Sequence, residues 1–470
     1  MRNCCTGSAA AYDLAVLGAG AAGFSAAITA ADAGARVALI GMGTIGGTCV
    51  NIGCVPSKTM IRAAEALHAA RAAARFDGLT GDAHVVEWRR LITAKNELVT
   101  HLRTKKYVDL LSSYDRISYI DGPAKFCHSG IEVAGRIIAA RKVIIATGAR
   151  PGVPKIPGLS EVPFLTSTSL LDLEERPESM IVMGGGFIGT EFAQMMARMG
   201  TTVTIMCRSR LLPQAEPEVS AALTQVLRDE GIRVHCGATY ESCSKTARGV
   251  AIRLAEGSEI EAECFLVATG RSPNVEHLGL AAAGVVQDQH GYIAVDGHMR
   301  TSCKNVYAAG DVIGKDQFVY MAAYGGKLAA QNALSGDNKA YNNAAMPWVV
   351  FTDPQVAGVG LTAAQAKAAG YQVKTSSIAL DQVPRAVAAR DARGLITLVA
   401  DAQSDRLLGG QILAPEGADS IQTLVLALRH KMAARDLADT MFPYLTTVEG
   451  VRLAAQAFER DVQKLPCCAG

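Results

Sequence analysis

Long runs of charge of one sign are absent from this sequence, and charged residues are few. They make up 19% of the 470 residues, and 46 basic against 44 acidic side chains leave a formal net charge of +2. Such a balance gives no electrostatic footprint for nucleic acid or for an anionic membrane surface. We therefore expect the partners of this protein to be small molecules and ions.

The sequence also lacks an uninterrupted apolar stretch long enough to cross a bilayer, so we expect no membrane span. The N-terminus does not have the layout of a signal peptide, because Asp13 and a glycine motif interrupt its apolar run. Together these absences predict a cytoplasmic protein. The length predicts about two to four domains.

A disulfide framework of the kind found in small secreted proteins is not expected in a chain this long, so the twelve cysteines are interpreted as thiols. Three pairs are close in sequence: Cys4 with Cys5, Cys49 with Cys54, and Cys467 with Cys468. The others stand alone and are expected to be inert packed or surface residues, namely Cys127, Cys207, Cys236, Cys243, Cys264 and Cys303.

Two GxGxxG fingerprints each follow an apolar stretch and open an Ala-rich or Met-rich segment. Their glycines are Gly18, Gly20 and Gly23 in the first and Gly184, Gly186 and Gly189 in the second. Such glycines allow a tight turn and let a pyrophosphate approach a helix N-terminus. Each fingerprint is followed later by a strand that ends in Ala-Thr-Gly, at Thr147-Gly148 and at Thr269-Gly270. This internal duplication predicts an α/β fold with two Rossmann-like domains and two bound dinucleotides.

The loop GTIGGTCVNIGCVPSK, which contains Cys49 and Cys54, and the segment TSCKNVYAAGDVIG, which contains Asp311, resemble signatures of the flavin-disulfide oxidoreductase family. The resemblance covers essentially the entire chain. It implies an FAD domain made of residues 1–150 and 271–345, an inserted nicotinamide domain at 151–270, and an α+β dimerisation domain at 346–470. Besides the first fingerprint, the implied FAD contacts are Gly43, Thr48, Lys58, Ala124, Thr147, Gly148, Asp311 and Val319.

The spacing of Cys49 and Cys54 does not suit a regular helix, on which five residues would place the side chains about 140° apart. A non-helical turn through residues 51–53 would bring the sulfurs together, and a helix N-terminus would lower a thiol pKa. We therefore expect a reactive pair. The resemblance implies that Cys54 faces the flavin and that Cys49 exchanges with substrate. It also pairs Lys58 with Glu191 as catalytic neighbours.

The residues that follow the second strand of each Rossmann unit bear on cofactor choice. In the second unit Arg208 and Arg210 stand where an acidic residue would repel a 2′-phosphate, so NADPH is favoured over NADH. In the first unit Gly41 occupies the position where the family usually has Glu, which weakens one flavin contact. Phe187 stands where many relatives carry a tyrosine that gates the nicotinamide pocket.

The C-terminal region indicates the electron acceptor. Disulfide reductases of the family carry a His-Pro pair and a Glu there, because a departing thiolate needs an acid. Here Phe442 precedes the proline, Tyr444 follows it, and no histidine follows His430. The chain ends in KLPCCAG, whose adjacent thiols suit a soft metal ion that passes between thiolate pairs.

This ending resembles the mercuric reductase branch of the family. The resemblance implies NADPH-dependent reduction of Hg(II) to Hg(0), with Cys49, Cys54, Cys467 and Cys468 as mercury ligands. Tyr444 would help to position or release the metal. It further implies a homodimer in which the cysteine tail of one subunit serves the active site of the other.

Two alternatives stay open at this point. The first is a disulfide reductase with a second dithiol at the C-terminus, although such an enzyme should retain the His-Glu pair. The second is a thiol-based protein that sequesters metal and has a vestigial flavin site, for which Gly41 is the only support. Cys4 and Cys5 are either a residual metal-delivery pair or part of a functionless terminus.

Overall fold

The computed structural model describes residues 11–127, 130–336 and 339–464. It divides into two compact units. The first unit comprises Met1–Thr59, Arg89–Gly152 and Gly270–Tyr341, and the second comprises Met60–Trp88, Val153–Thr269 and Asn342–Gly470. The roles predicted for Cys4, Cys5, Cys467 and Cys468 concern residues outside the described ranges.

The strands of the described residues are, in chain order, β1 (Tyr12–Leu17), β2 (Val37–Gly41), β3 (Ile117–Asp121), β4 (Ala124–Cys127), β5 (Gly130–Val133), β6 (Arg136–Ile138), β7 (Ala140–Ile145), β8 (Ala149–Pro151), β9 (Ser179–Met183), β10 (Thr202–Cys207), β11 (Arg233–Cys236), β12 (Tyr240–Thr246), β13 (Gly249–Leu254), β14 (Glu259–Ala262), β15 (Cys264–Val267), β16 (Arg271–Pro273), β17 (Val306–Ala308), β18 (Pro347–Val350), β19 (Gln355–Gly360), β20 (Val373–Ala379), β21 (Leu395–Asp401) and β22 (Leu407–Ala414).

The α-helices are α1 (Ala21–Asp32), α2 (Gly47–Ile52), α3 (Cys54–Arg71), α4 (Trp88–Arg103), α5 (Asp109–Leu111), α6 (Phe187–Arg198), α7 (Pro217–Asp229), α8 (Leu280–Ala283), α9 (Val319–Ser335), α10 (Ala363–Ala368), α11 (Pro384–Ala388), α12 (Gly417–Arg429), α13 (Ala434–Asp439) and α14 (Glu449–Gln456). A π-helical turn at Thr104–Val108 joins α4 to α5. Within the described part of the chain, no helix combines the length and the apolar character needed to cross a membrane.

The first unit is built on a five-stranded parallel sheet with the order β17-β7-β1-β2-β3. Parallel strands are covered on both faces, which is why β2 is a continuous apolar run and β1 is apolar and buried from Leu14 onward. Helices α1 and α9 pack together through backbone, because a Cβ on Gly326 would collide with the carbonyl oxygen of Ala22. Small residues in these helices therefore allow the two layers to approach closely.

The second unit repeats this plan in a four-stranded parallel sheet with the order β11-β10-β9-β15. The strand that precedes the fingerprint is β1 in the first sheet and β9 in the second. In the first sheet β1 lies between β2 and β7, and in the second sheet β9 lies between β10 and β15. Strands β7 and β15 are the ones followed by Ala-Thr-Gly. The same unit contains a five-stranded antiparallel sheet with the order β18-β19-β22-β21-β20. Its core includes residues from α12 and α14. These sheets confirm the predicted α/β fold class with two Rossmann-like sheets and an α+β C-terminal region.

Candidate active site

The first fingerprint forms a turn in which backbone packs directly on backbone. A Cβ on Gly18 would collide with the carbonyl oxygen of Ala146, which follows β7, and a Cβ on Gly23 would collide with the carbonyl oxygen of Gly18. Only glycine permits this approach of strand, helix and neighbouring strand. The turn thus lies at the carboxyl end of β1, where the strand order of the sheet reverses.

The second fingerprint repeats these contacts. A Cβ on Gly184 would collide with the carbonyl oxygen of Ala268, and one on Gly189 with that of Gly184. At the middle glycine, Gly186, a Cβ would meet no atom of the described residues within 4 Å, so these residues leave the space before helix α6 open. The first turns of α1 and α6 contain no acidic residue and their first N–H groups have no side-chain cap. Both helix N-termini therefore fit the pyrophosphate of a dinucleotide.

The flavin loop, residues 42–47, leads from β2 to α2 and touches the first fingerprint. A Cβ on Gly47 would lie 2.6 Å from the Cα of Gly20, so the two backbones are in contact. Helix α2 begins at Gly47 and carries Cys49. The fingerprint turn thereby fixes the start of the helix on which the first cysteine of the pair lies.

A break in the helix brings Cys49 and Cys54 together. Helix α2 ends at Ile52, Gly53 has φ −127° and ψ −113°, and α3 begins at Cys54. The non-helical segment is thus Gly53 alone, whereas the sequence predicted a turn that also included Asn51 and Ile52. The two cysteines are not joined by a disulfide. A side-chain hydrogen bond with Cys54 raises the pKa of Cys49, and burial raises it further, while Lys58 opposes both effects weakly.

Tyr107 lies near the same pair and was not predicted. It belongs to the π-helical turn Thr104–Val108, and its ring packs edge-on against Phe24 of α1 at a centroid distance of 4.9 Å. Burial raises the pKa of Tyr107, and the charges of Cys49 and Cys54 add to the effect. π-Helical turns often occur at functional sites, but nothing in the spacing of polar residues along α4 signals this one.

Asn51 of α2 forms polar contacts that hold this helix in place, one of them with Arg103 at the end of α4. The side chain of Asn51 donates hydrogen bonds to the carbonyl oxygens of Ile45 and Gly47, and its Oδ1 accepts one from Arg103 at 3.2 Å. The loop and helix that carry Cys49 are therefore tied to each other and to the end of α4.

The second predicted flavin contact, Asp311, follows β17 and forms an ion pair with Arg271, whose Nε lies 3.3 Å from Oδ2 of the carboxylate. Burial raises the pKa of Asp311, and Arg271 opposes this shift. Nε of Arg271 has no hydrogen-bond partner among the described residues. The carboxylate is therefore half-buried beside a cation, in a position that suits a contact to a sugar hydroxyl.

The remaining predicted FAD contacts all lie in the first unit. Thr147 and Gly148 directly follow the strand-end residue Ala146, and the Thr147 hydroxyl donates to the carbonyl oxygen of Asn274. Gly43 and Thr48 are exposed residues of the flavin loop and of α2. The other two are half-buried, Ala124 at the start of β4 and Val319 at the start of α9.

Tyr119 explains how the chain accommodates Gly41. A Cβ at position 41 would lie 2.6 Å from the hydroxyl oxygen of Tyr119 and 2.9 Å from the Cβ of Ala19. The ring of Tyr119, on the neighbouring strand β3, therefore fills the space in which an acidic side chain would begin. Sequence reasoning missed this residue, because the contact depends on the register of β2 and β3.

The two arginines predicted to hold a 2′-phosphate differ in their surroundings. Arg210 donates hydrogen bonds to the carbonyl oxygens of Pro213 and Ala215 at 3.0 and 2.7 Å, so it braces its own loop. Arg208 is exposed and makes no hydrogen bond or ion pair with any described residue. Arg208 is therefore the better candidate for a phosphate contact.

Glu191 and Phe187, both on α6, contact residues near β18. The buried carboxylate of Glu191 accepts a hydrogen bond from the backbone N–H of Phe351 at 2.9 Å. The ring of Phe187 lies 5.6 Å from that of Trp348. Lys58 is half-buried on α3 in the first unit. The predicted pairing of Lys58 with Glu191 stays a prediction.

The C-terminal segment shows what replaces the His-Glu pair. Tyr444 is 47% exposed. Glu449 is buried, and its Oε2 accepts a hydrogen bond from the backbone N–H of Leu445 at 3.1 Å. Burial raises the pKa of Glu449. The carboxylate holds a backbone turn here and has no histidine to orient, since Phe442 takes that position.

Two of the cysteines that stand alone in the sequence lie side by side in the fold. Cys207 and Cys236 end the neighbouring parallel strands β10 and β11 in register, and their sulfur atoms lie 3.8 Å apart. Burial together with Cys236 raises the pKa of Cys207 to about 12. The sequence separation of the two residues gives no hint of this pair, because only strand order brings them together.

Comparisons with known proteins agree with this geometry. Residues 12–332 match the family model described as pyridine nucleotide-disulphide oxidoreductase, and residues 346–455 match the model of its dimerisation domain. A mercuric reductase of Bacillus cereus is 45% identical over 464 residues, which cover 98% of this chain and 73% of that protein. One of Streptomyces lividans is 41% identical over 473 residues, 98% of each chain. The structure of the HOCl-induced flavoprotein disulfide reductase RclA from Escherichia coli matches 95% of this chain and 99% of its own at 30% identity and a TM-score of 0.84.

Proposed function

The chain belongs to the pyridine nucleotide-disulphide oxidoreductase family and within it to the mercuric reductases, and we infer that it reduces Hg(II) to Hg(0) with electrons from NADPH. The observation that carries this inference is the dithiol at the break between α2 and α3, combined with Phe442 in place of an acid-base histidine. When Hg(II) bound by two thiolates is reduced, Hg(0) leaves without taking up a proton. A thiolate released from a disulfide substrate needs a proton, which an acid must supply. Nothing in the comparisons favours either alternative.

The first unit fits FAD, and the fingerprint of the second unit fits NADPH. The N-terminus of α1 would hold the pyrophosphate of FAD, and Asp311 would accept a hydrogen bond from its ribityl chain. In relatives an acidic side chain at position 41 would contact the ribose, and here the Tyr119 hydroxyl lies close to that position. When bound, FAD takes two electrons from NADPH and supplies them to the active-site cysteines. Arg208 would hold the 2′-phosphate of NADPH.

Cys49 and Cys54 would bind the substrate Hg(II) as a pair. The hydrogen bond between the two side chains supports this proposal, because it places the two sulfurs close together. On binding, two S–H bonds break, two S–Hg bonds form and two protons pass to solvent. Lys58 adds positive charge beside the site and so favours loss of these protons. Two electrons then convert Hg(II) to Hg(0), and we expect Glu191 to fix the position of Lys58.

The matched dimerisation domain indicates a homodimer. We propose that Cys467 and Cys468 capture Hg(II) and deliver it to Cys49 and Cys54 of the partner subunit, with Tyr444 on the way. The support is that the dimerisation region ends in these cysteines, while the dithiol lies near the start of the chain. A cytoplasmic location also remains our proposal, because NADPH and reduced thiols are supplied there.

The direct test is NADPH oxidation with and without Hg(II) in the presence of an excess of a small monothiol. Cys49→Ser should abolish the Hg(II)-dependent rate. Cys127→Ser is the matched control, because Cys127 is another half-buried thiol of the first unit, and should keep that rate. NADPH oxidation that does not depend on Hg(II), or survival of the rate in Cys49→Ser, would contradict the proposed function.

A mixed dimer tests the sharing of active sites. One subunit lacks Cys49 and Cys54, and the other lacks Cys467 and Cys468. Action between subunits leaves one site with all four cysteines and predicts about half of the activity per dimer. Action within a subunit leaves no complete site, so activity near zero would reject delivery to the partner.

A further inference from the structure

The thiol pair formed by Cys207 and Cys236 lies beside the second fingerprint. A Cβ on Gly185 would lie 2.9 Å from the Cβ of Cys207 and 3.2 Å from its sulfur. Cys207 is 4% exposed, whereas Cys236, at the end of β11, is open to solvent. One residue of the pair is thus buried against the nucleotide turn, and the other is exposed to solvent.

We propose that Cys207 and Cys236 form a second binding site for a soft two-coordinate metal ion, with Hg(II) as its natural occupant, and that occupancy weakens binding of the nicotinamide dinucleotide. Soft thiolates select soft ions. This site is distinct from Cys49 and Cys54, which lie in the first unit. Its existence does not depend on turnover, so a chain that failed to reduce Hg(II) would still bind the ion here.

Two features of the pair favour a two-coordinate ion, namely the distance between the sulfurs and the number of ligands. A linear S–metal–S unit with bonds of about 2.3 Å spans about 4.6 Å. The observed separation of 3.8 Å would have to widen slightly, and we expect rotation of the exposed Cys236 side chain to allow this. Zinc would need further ligands to complete a tetrahedral structural site. No group of three or more His, Cys, Asp and Glu residues that could hold a metal occurs among the described residues.

The binding step is a ligand exchange without electron transfer. The two S–H bonds break, two S–Hg bonds form, and two protons pass to solvent or to the ligands that Hg(II) releases. Arg208, the expected phosphate contact, directly follows Cys207 in the chain. The N–H of Ser209 donates to the sulfur of Cys207, so metal binding to that sulfur disturbs the turn that presents Arg208. Weaker binding of NADPH follows from this displacement.

The test measures Hg(II) retained by the holoenzyme after gel filtration in a competing monothiol. Cys236→Ser is the main variant, because the side chain is exposed and the fold should tolerate the change. It should retain one Hg(II) fewer per chain than the unmodified enzyme, and Cys207→Ala should do the same. Cys264→Ser, a half-buried thiol of the same unit, is the control and should retain the full amount.

Binding of NADP⁺ without turnover provides the second measurement. Hg(II) should raise its Kd several-fold in the unmodified enzyme and in Cys264→Ser, and should leave it unchanged in Cys236→Ser. Equal Hg(II) retention in Cys236→Ser and the unmodified enzyme would overturn the site, as would thiol titration showing that Cys207 and Cys236 are already joined as a disulfide. An NADP⁺ affinity insensitive to Hg(II) in the unmodified enzyme would overturn the coupling to the nucleotide.

Discussion

Replacing Gly47 with Ala tests whether the contact between the flavin loop and the first fingerprint controls FAD binding. Gly47 has φ +68°, and a Cβ would lie 2.6 Å from the Cα of Gly20. The left-handed conformation costs a non-glycine residue about 1 to 2 kcal/mol, and overpacking adds about 1 to 3 kcal/mol. The backbone of the fingerprint cannot yield without disturbing α1, so the loop must move.

Of these two costs, only the cost of overpacking should weaken FAD binding. Without FAD the loop can shift to relieve the collision, whereas we expect bound FAD to require the loop in place. A loss of about 1 to 3 kcal/mol in the binding free energy of FAD corresponds to about 5-fold to 150-fold weaker FAD affinity. Fluorescence titration of the apoprotein with FAD measures this loss. The change should also displace α2, so the rate at which NADPH reduces the enzyme should fall.

Gly34→Ala is the matched control. Gly34 also has positive φ, at +87°, but a Cβ there meets nothing within 4 Å, and the residue lies in the turn after α1. Gly34→Ala should lower the unfolding midpoint through the backbone cost alone and leave FAD affinity unchanged. If Gly47→Ala bound FAD as tightly as Gly34→Ala, the contact between loop and fingerprint would have no part in holding the cofactor.

Three further predictions follow from single side chains. Tyr119→Phe should weaken FAD binding by about 0.5 to 1.5 kcal/mol, the worth of one hydrogen bond, while Tyr114→Phe in the same unit should not; equal affinities in titration would remove Tyr119 from the ribose site. Arg208→Ala should lower the ratio of kcat/KM for NADPH to kcat/KM for NADH, because a contact worth about 1.5 to 3 kcal/mol to NADPH alone is lost. The exposed control Arg248→Ala should leave this ratio unchanged. An unchanged ratio in Arg208→Ala would reject the phosphate contact. The enzyme should reduce neither glutathione disulfide nor lipoamide at a useful rate, because Phe442 replaces the proton donor; rapid NADPH oxidation with either disulfide would show that another acid serves.

The duplicated architecture was predictable because its signals are local. Each fingerprint, its apolar strand and its Ala-Thr-Gly strand can be found along the sequence, and the steric demands of the turn at Gly18 recur at Gly184. The cysteine pair was also predicted, from its spacing together with surrounding residues that resemble the family motif, and the helix breaks at Gly53 between the two cysteines. The extent of the break was not, because Asn51 continues α2 while its side chain caps the loop.

The features that were missed depend on which strands and helices become neighbours. Tyr119 fills the space at Gly41 only because β3 pairs with β2 in one register. Cys207 and Cys236 meet because β10 and β11 are adjacent and end at the same level. No local pattern encodes such pairings, because they arise when the strands assemble into a sheet.

The π-helical turn at Thr104–Val108 has a consequence for evolutionary comparison. A π turn accommodates one more residue than an α turn, so the residues after it are rotated by about 100° relative to an uninterrupted helix. Tyr107 lies within this turn, near enough to the dithiol for Cys49 and Cys54 to affect its pKa. In a relative that lacks the extra residue, the position counted as equivalent to Tyr107 would point elsewhere. Alignments of this helix should therefore allow a one-residue gap before a tyrosine is scored as lost or gained.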